Sequence, residues 1–329
     1  MHVFLRRLLD ALLLLWLVTT LTFALIHLAP GDPATLLIAP SATAAEAARV
    51  RAQLGLDAPI LLQYARWMTA LLQGDLGQSL AQGRPVLALI AEALPISLFL
   101  GGVSLLLSFV IGTVIGLMQA IGLRRGATDS LITIVLTAAY ATPSFWLALA
   151  LIAVFTSGAA WLGLPDWLRL PAFGMRSPSA NGDAIEWMDR WRHAVLPLVV
   201  LTVPGLAGVA RYARSALRET VGSPFVVAAT GRGLPTSTLI WRYLLQPAVA
   251  PLVVLFGLTL PGILAGSVFA EQIFAWPGLG RLMLSAIASR DYPVVLALTV
   301  VYATAVIMSN LLADLLLPWL DPRRRDAVA

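Results

Sequence analysis

The chain has 329 residues, of which 59% are hydrophobic and 12% charged, with a net charge of +5. Soluble domains carry roughly 25% charged residues, so this composition belongs to a chain whose solvent is largely lipid. There is no cysteine, and all 22 residues of the Lys/Arg class are arginine; this excludes thiolate and disulfide chemistry, Schiff-base catalysis and a P-loop ATPase, whose Walker A lysine must reach the β- and γ-phosphates.

Six stretches, roughly 10–29, 96–121, 131–157, 194–212, 248–270 and 294–318, are long enough to cross a hydrocarbon core, which takes about 20 residues of helix. Arg6 and Arg7 precede the first. The apolar run from Ala11 to Ala29 exceeds a signal-peptide core and no A-x-A site follows, so an anchored helix is expected. His27 ends this span as a polar residue at the outer interface, and neither His2 nor His193 stands at metal-ligand spacing from it. In the long segment 30–95, Glu46 to Leu54 reads as an amphipathic helix. Tyr64, Trp67, Met68, Leu71 and Leu72 then recur at helical spacing, suited to the membrane surface. Ser108, Gly112 and Gly116 lie four apart on the second span, and Gly262 and Gly266 on the fifth. Small residues at this spacing let helices approach closely, and packing within one bundle is expected rather than a dedicated dimer motif. Pro143 interrupts the third span, Pro197 and Pro204 the fourth, Pro251 and Pro261 the fifth; membrane helices tolerate such breaks where neighbours re-satisfy the freed carbonyls. Trp161, Trp167, Trp187 and Trp191 of segment 158–193 fit interface anchoring.

A pI of 10.2 would point to nucleic acid in a soluble protein. Here the arginines collect at span ends instead, so no nucleic acid is expected. With the N-terminus inside, the inner segments hold 12 arginines and the outer ones 10, spread over about twice the length among 11 acids. The arginine bias therefore puts both termini in the cytoplasm.

The inner segment Arg211 to Pro247 is the only internal basic one long enough to fold. It sets Arg211, Arg214, Arg218, Arg232 and Arg242 against a single acid, Glu219. Phe225 to Thr230 suits a short helix. Gly231-Arg232-Gly233 supplies a turn, because glycine reaches positive φ at little cost. Pro235 suits the first turn of a second helix, which places Leu239, Ile240, Tyr243 and Leu244 on one side. Such a unit, apolar on one face and basic on the other, is either an amphipathic segment lying on the membrane or a lever gripped by another protein. Candidates for a pathway or gate are Pro143, Ser144, Glu271, Asn310 and Asp314. Asp314 follows Asn310 by four residues on one helix face and suits either an ion pair with inner arginines or a pathway role. Glu271, closing the fifth span, suits gating and structure equally. No nucleophile–base set and no metal-ligand spacing stands out, so no enzyme activity is expected.

Four fragments together resemble one family. They are FALIHLAPGDP (23–33), LGLDAPILLQYARWM with GDLGQSL (54–80), ATGRGLP (229–235), and VFAEQIFAWPGLGRLMLSAIASRDYP (268–293) followed by NLLADLLLPWLDPRRR (310–325). From Leu5 to Arg325 the chain is similar to the inner-membrane permeases of ATP-binding-cassette importers, in the dipeptide/oligopeptide/nickel branch. The resemblance implies an all-α polytopic membrane protein of six transmembrane helices with the type I ABC importer permease fold. It implies one permease domain, 1–329, with an extracytoplasmic region 30–95 and an ATPase-coupling loop 213–247. The cargo expected is a di- or oligopeptide; nickel chelates, glutathione or oligosaccharides are the alternatives within the family. The implied partners are a second homologous permease, two cytoplasmic ATP-binding-cassette ATPase subunits that hold ATP and magnesium, an extracytoplasmic substrate-binding protein and membrane lipid. No cofactor is expected on this chain, and its place is a bacterial or archaeal cytoplasmic membrane. In the coupling loop, Ala228, Ala229 and Gly233 take the places of the family's short signature. Ala228 stands where Glu or Thr is usual, and Val227 is apolar where arginine is common. The resemblance assigns ATPase coupling to Phe225, Val226, Ala228, Ala229, Gly231, Arg232, Gly233 and Leu234. The competing class is a secondary transporter driven by an ion gradient. It needs acids near mid-membrane, and only Asp314 is offered, off centre.

Overall fold

The computed structural model describes residues 2–28, 43–53, 55–122, 126–177, 183–265 and 267–320. In chain order the helices are α1 His2–Leu28, α2 Ala44–Gln53, α3 Ile60–Leu72, α4 Val86–Ala120, α5 Ala127–Ala141, α6 Ser144–Ile152, α7 Asp183–Val221, α8 Pro224–Gly231, α9 Thr236–Thr238, α10 Gln246–Thr259, α11 Gly262–Ala265, α12 Val268–Ile273, α13 Leu279–Ala288 and α14 Tyr292–Leu320. Among the described residues the only β pairing is an isolated bridge between Gln78 and Pro85.

Five segments, Leu9–Leu28, Val86–Ala120, Glu186–Val221, Thr236–Thr259 and Tyr292–Leu312, are long and apolar enough to cross a membrane. The sixth is a broken pair: α5 and α6, the latter extended by the π-helical turn Ala153–Ser157, meet at 102°. The interruption expected at Pro143 in span 131–157 is thus a full break, and the first half of the span starts earlier, at Ala127. Thr142 is extended with ψ 122° and Pro143 caps α6 with ψ 133°, because a residue before proline is pushed out of the helical region. The expected span 248–270 is corrected as well. Its helix starts twelve residues earlier, at Thr236, and stops at Thr259. Pro261 offers no N–H to continue it, and the chain goes on as the short helices α11 and α12. The helices of spans two and four also outrun their expected limits, as Val86–Ala120 and Asp183–Val221.

The chain divides into two compact units. The first comprises Met1–Ile96 and Pro277–Ile307. Here α1 and α3 meet through aromatic rings. Phe23 stacks on His27 at 4.0 Å and on Trp67 at 5.4 Å, and meets Tyr64 edge-on at 5.3 Å. The Tyr64 hydroxyl lies 2.7 Å from Thr20 Oγ1, and His27 Nδ1 lies 2.8 Å from the Phe23 carbonyl. Tyr64 and Trp67 therefore pack inward on α1, while Leu61 and Leu72 of α3 stay exposed. α2 opens with a capping box: the Thr43 amide donates to Glu46 Oε2 at 2.7 Å and the Glu46 amide donates to Thr43 Oγ1 at 3.3 Å, satisfying two orphan donors at once. The bond from the Thr43 amide holds the Glu46 carboxyl below its ordinary value.

Two of the sequence fragments converge in this unit. The chain leaves α13 through Arg290, a non-glycine residue at φ 56°. The Asp291 amide bonds the Ala286 carbonyl at 2.8 Å and the Arg290 amide bonds that of Ile287 at 3.1 Å, the paired closure of a left-handed helix end. This turn aims the buried Asp291 carboxylate at the GDLGQSL loop, where Ser79 Oγ and the amides of Leu80 and Ala81 donate to it, the amides at 3.0 and 3.2 Å. Asp291→Ala is expected to cost about 1–3 kcal/mol by stranding those donors, and Asp291→Asn less, since an acceptor oxygen remains. Thermal unfolding in detergent measures the difference; equal losses would show that packing, and not the hydrogen bonds, sets the cost.

The second unit comprises Ser97–Trp276 and Met308–Ala329. α4 lies against α7 with no space for side chains at two glycines. A Cβ at Gly112 would stand 2.8 Å from the Leu206 carbonyl oxygen, and one at Gly116 would stand 2.7 Å from that of Ala210. The small-residue spacing read from the sequence thus serves packing inside the chain. α5 runs antiparallel to α7 with Leu136 on Ala207 and Ala210, flanked by Ile132, Ala139 and Ile115. Glu271, on α12, is fully buried and accepts from Ser97 Oγ and Ser267 Oγ, each at 2.6 Å.

Candidate functional site

The segment 211–247 folds as a helical hairpin on the end of α7. Pro224 occupies the first turn of α8, where its missing N–H leaves nothing unpaired. Val226 and Ala229, three residues apart, turn inward: Val226 is 6% and Ala229 2% exposed. Val226 joins Ala213, Leu217, Leu244 and Ala248 in one apolar cluster, with Leu117, Ile121, Ile240 and Tyr243 packed around it. The opposite side of α8, with Phe225, Val227 and Ala228, is exposed, and Phe225 stacks on Tyr243 at 6.5 Å. Two inward anchors fix the helix, and an apolar outer face is left uncovered by this chain.

The turn after α8 differs from expectation. Gly231 is the last residue of the helix, a Cβ there would meet nothing within 4 Å, and its φ is not positive. Arg232 caps the helix with φ −79°. Only Gly233 is left-handed, at φ +69°, its amide donating to the Thr230 carbonyl at 2.9 Å. The turn therefore needs glycine at one position, because one residue suffices to reverse the chain. Leu234 is half-buried, and Pro235 precedes α9 instead of entering it. Between α9 and α10 the residues Leu239–Leu245 form a π-helix. Pro247 cannot donate to the Tyr243 carbonyl and its ring crowds that position, and a wider turn is the local answer to such a mismatch. The predicted apolar side of this second helix is present, with Leu244 buried and Ile240 and Tyr243 partly so.

Three of the five arginines do not face Glu219 as the sequence suggested. The Arg211 guanidinium lies 5.1 Å from the centre of the Tyr140 ring. Arg214 Nη2 lies 2.7 Å and Arg218 Nη2 3.7 Å from Asp129 Oδ2. Sequence reasoning left Asp129 unassigned in the segment 122–130. Its signal was an acid in the first turn of a helix, a position the helix dipole favours. Arg232 and Arg242 are exposed on the hairpin. Glu219 instead borders a cavity of about 490 Å³ with Tyr212, Ser223, Phe225 and Pro251.

The pathway candidates separate. Ser144, the first residue of α6, lines a cavity of about 390 Å³ between α4, α6, α7 and α10, together with Ser104, Ser108, Gly205, Thr259 and Ser267. Pro143 makes the bend that brings Ser144 there. No charged side chain lines this cavity among the described residues, and its hydroxyls bond within the protein: Ser104 Oγ donates to the Gly101 carbonyl at 2.9 Å, Ser108 Oγ to that of Thr202 at 3.1 Å. Glu271 stands behind the lining, bonded to Ser267. Asn310 is exposed on α14, away from this set. Asp314 belongs to the same helix, and its side chain lies outside the described residues, as do the tail arginines. No group of three or more potential metal ligands occurs among the described residues.

The chain matches the family model of the binding-protein-dependent transport system inner membrane component over residues 112–326, and the N-terminal model of the same membrane component over residues 1–101. It is 36% identical over 314 residues to a probable D,D-dipeptide transport system permease protein of Escherichia coli (strain K12), covering 93% of this chain and 92% of that one. It is 34% identical over 321 residues to an oligopeptide transport system permease protein of Bacillus subtilis (strain 168), covering 97% of each. A glutathione transport system permease protein of Salmonella paratyphi A is 32% identical over 321 residues, covering 98% of each.

Proposed function

We infer the function from one premise: this chain belongs to the family of binding-protein-dependent transport system inner membrane components, the permease subunits of ABC importers. It is accordingly an all-α, multi-pass permease of type I fold in an inner membrane, and its importer takes up peptides. The finer assignment is ours. The chain pairs with a second, homologous permease; an extracytoplasmic binding protein delivers a di- or oligopeptide; two separate ATPase subunits, carrying the ATP and magnesium, grip the 213–247 hairpin. Both termini lie in the cytoplasm. When the ATPases close, the hairpins move with them and the paired bundles exchange inward- and outward-facing forms, a rocking about the central path.

The observation that carries this is the construction of α8. Two buried anchors and one left-handed glycine hold an uncovered outer face in fixed relation to α7, which continues into the wall of the cavity beside Ser144. A helix that merely lay on lipid would not need its turn so tightly specified. A cavity with no charged side chain among its described lining residues suits the passage of peptides of varied side chain.

The test is uptake of radiolabelled di- and oligopeptides into vesicles. Uptake that requires ATP and all partner subunits is expected. Uptake by this chain alone on an ion gradient would overturn the assignment, as would steady ATP turnover by the purified chain, which has no lysine for a Walker A loop. For topology, single cysteines replacing Gln82 and Ser237, both exposed, are expected to label differently in intact cells. An impermeant thiol reagent is expected to mark position 82 and not 237; the reverse pattern would invert the orientation.

A further inference from the structure

The arginines of α7 that leave the hairpin do so in a specific direction, and together they form a polar clamp on α5. Arg214 Nη2 donates to Asp129 Oδ2 at 2.7 Å and its Nη1 to Thr133 Oγ1 at 2.7 Å. Gln119, at the end of α4 and 3% exposed, donates through Nε2 to Asp129 Oδ1 at 2.9 Å and to Thr133 Oγ1 at 3.2 Å. Thr133 Oγ1 in turn donates to the Asp129 carbonyl at 2.8 Å. Both carboxylate oxygens are engaged, and three helices meet at one acid.

The position of the clamp matters more than its strength. Ala213 and Leu217 of α7 are fully buried in the cluster that seats Val226 of α8, while Arg214 and Arg218, each one residue further on, hold α5. Neighbouring residues on a helix point about 100° apart, so one short stretch of α7, less than two turns long, touches the docking helix on one face and α5 on the next. At its far end α5 bends by 102° into α6, whose first residue, Ser144, lines the cavity. The clamp is also incompletely satisfied: Arg214 Nε and Gln119 Oε1 are buried without a hydrogen-bond partner among the described residues. Buried polar atoms are paired as a rule, so the spare donor on Arg214 and spare acceptor on Gln119 leave this network open to a partner that another arrangement would supply.

We propose that Asp129 and Arg214 are positioning residues of the transport cycle, transmitting displacement of the docking hairpin through α7 to the broken α5–α6 span and so to the wall of the cavity. This rests on the permease function given above. Removing the pair is expected to uncouple ATP turnover from uptake without releasing the ATPase, because the anchors of α8 lie on a different face of α7.

The experiment uses the whole complex in vesicles. Asp129→Asn keeps size and a hydrogen-bond acceptor while removing the charge; Arg214→Gln removes the other partner; Asp129→Arg with Arg214→Asp reverses the pair. Three quantities are read: ATPase co-purified per permease, ATP turnover, and peptide taken up per ATP hydrolysed. The expected result is unchanged co-purification with uptake per ATP reduced about tenfold in each single variant, the scale of a typical coupling factor, and substantial recovery in the reversed pair. Uptake per ATP at the parent level in Asp129→Asn overturns the proposal. So does loss of ATPase in step with uptake, which would make the cluster a device for folding the inner end of the bundle and nothing more. A parent complex that shows no ATP-dependent uptake would instead refute the permease function itself, so the two failures are distinct.

Discussion

Gly116→Leu is expected to keep α4 from seating on α7 and to remove most of the folded protein. The reason is geometric. A Cβ at position 116 would lie 2.7 Å from the Ala210 carbonyl oxygen, 2.7 Å from the Ala213 Cβ and 2.9 Å from the Arg214 amide nitrogen. Two of those atoms are backbone, so no rotamer change relieves the contact. Overpacking a well-filled interior costs about 1–3 kcal/mol, occasionally more, and a backbone clash belongs at the upper end. The displacement would also move Ala213, which supports Val226, so the 213–247 hairpin should loosen with it. Gly102→Leu is the control on the same helix: nothing lies within 4 Å of a Cβ there. The yield of monodisperse protein in detergent and its thermal unfolding are the measurements. Equal behaviour of the two variants would mean that the α4–α7 contact is not the one holding this unit together.

Gly233→Val is expected to leave the protein inserted and folded but to release or uncouple the ATPase. Here there is no clash, since a Cβ at position 233 meets nothing within 4 Å. The whole effect comes from φ +69°, a region costly for a β-branched residue, with strain of about 1–3 kcal/mol. Asparagine tolerates this region best among the other residues, so the expected order of loss is Val, then Ala, then Asn. Arg232→Ala should do less, because an exposed charge contributes only about 0–1 kcal/mol. Gly231→Ala should be harmless or slightly stabilising, as that glycine sits in a helix with open space beside it. Co-purification of the ATPase with each variant, and ATP-dependent uptake in vesicles, check the series. A Gly233→Val protein that binds and transports like the parent would reduce the hairpin to an amphipathic segment on the membrane.

These two glycines show how differently sequence and structure speak. The turn glycine was legible in advance, because a glycine after a short apolar run and before proline has few other uses. Sequence alone could not choose between Gly231 and Gly233, since both satisfy the pattern and only the backbone φ in the fold separates them. Gly112 and Gly116 were legible as close-approach positions; that α7 is the helix they admit was not. Pro143 was visible as an interruption, but a proline in a membrane helix is compatible with a mild kink or with a full break. The 102° bend and the exposure of Ser144 to a cavity follow from how α5 and α6 each pack against α7.

Composition and local chemistry fixed the class of the molecule. In lipid the backbone pairs within helices or closed barrels, and apolar runs of about 20 residues point to helices; those runs and short-range turn rules then outline the spans and the foldable basic hairpin between the fourth and fifth of them. What the tertiary structure alone decided are the long-range pairings. Asp291 closes on the GDLGQSL loop more than two hundred residues away in the chain, Glu271 is buried against Ser97, and Asp129 captures Arg214 and Arg218, which lie beside Glu219 in the sequence. A charge in a sequence has a sign but no direction. Which of several opposite charges it meets depends on helix rotation and on which faces small residues allow to touch, and those are set by packing across the bundle.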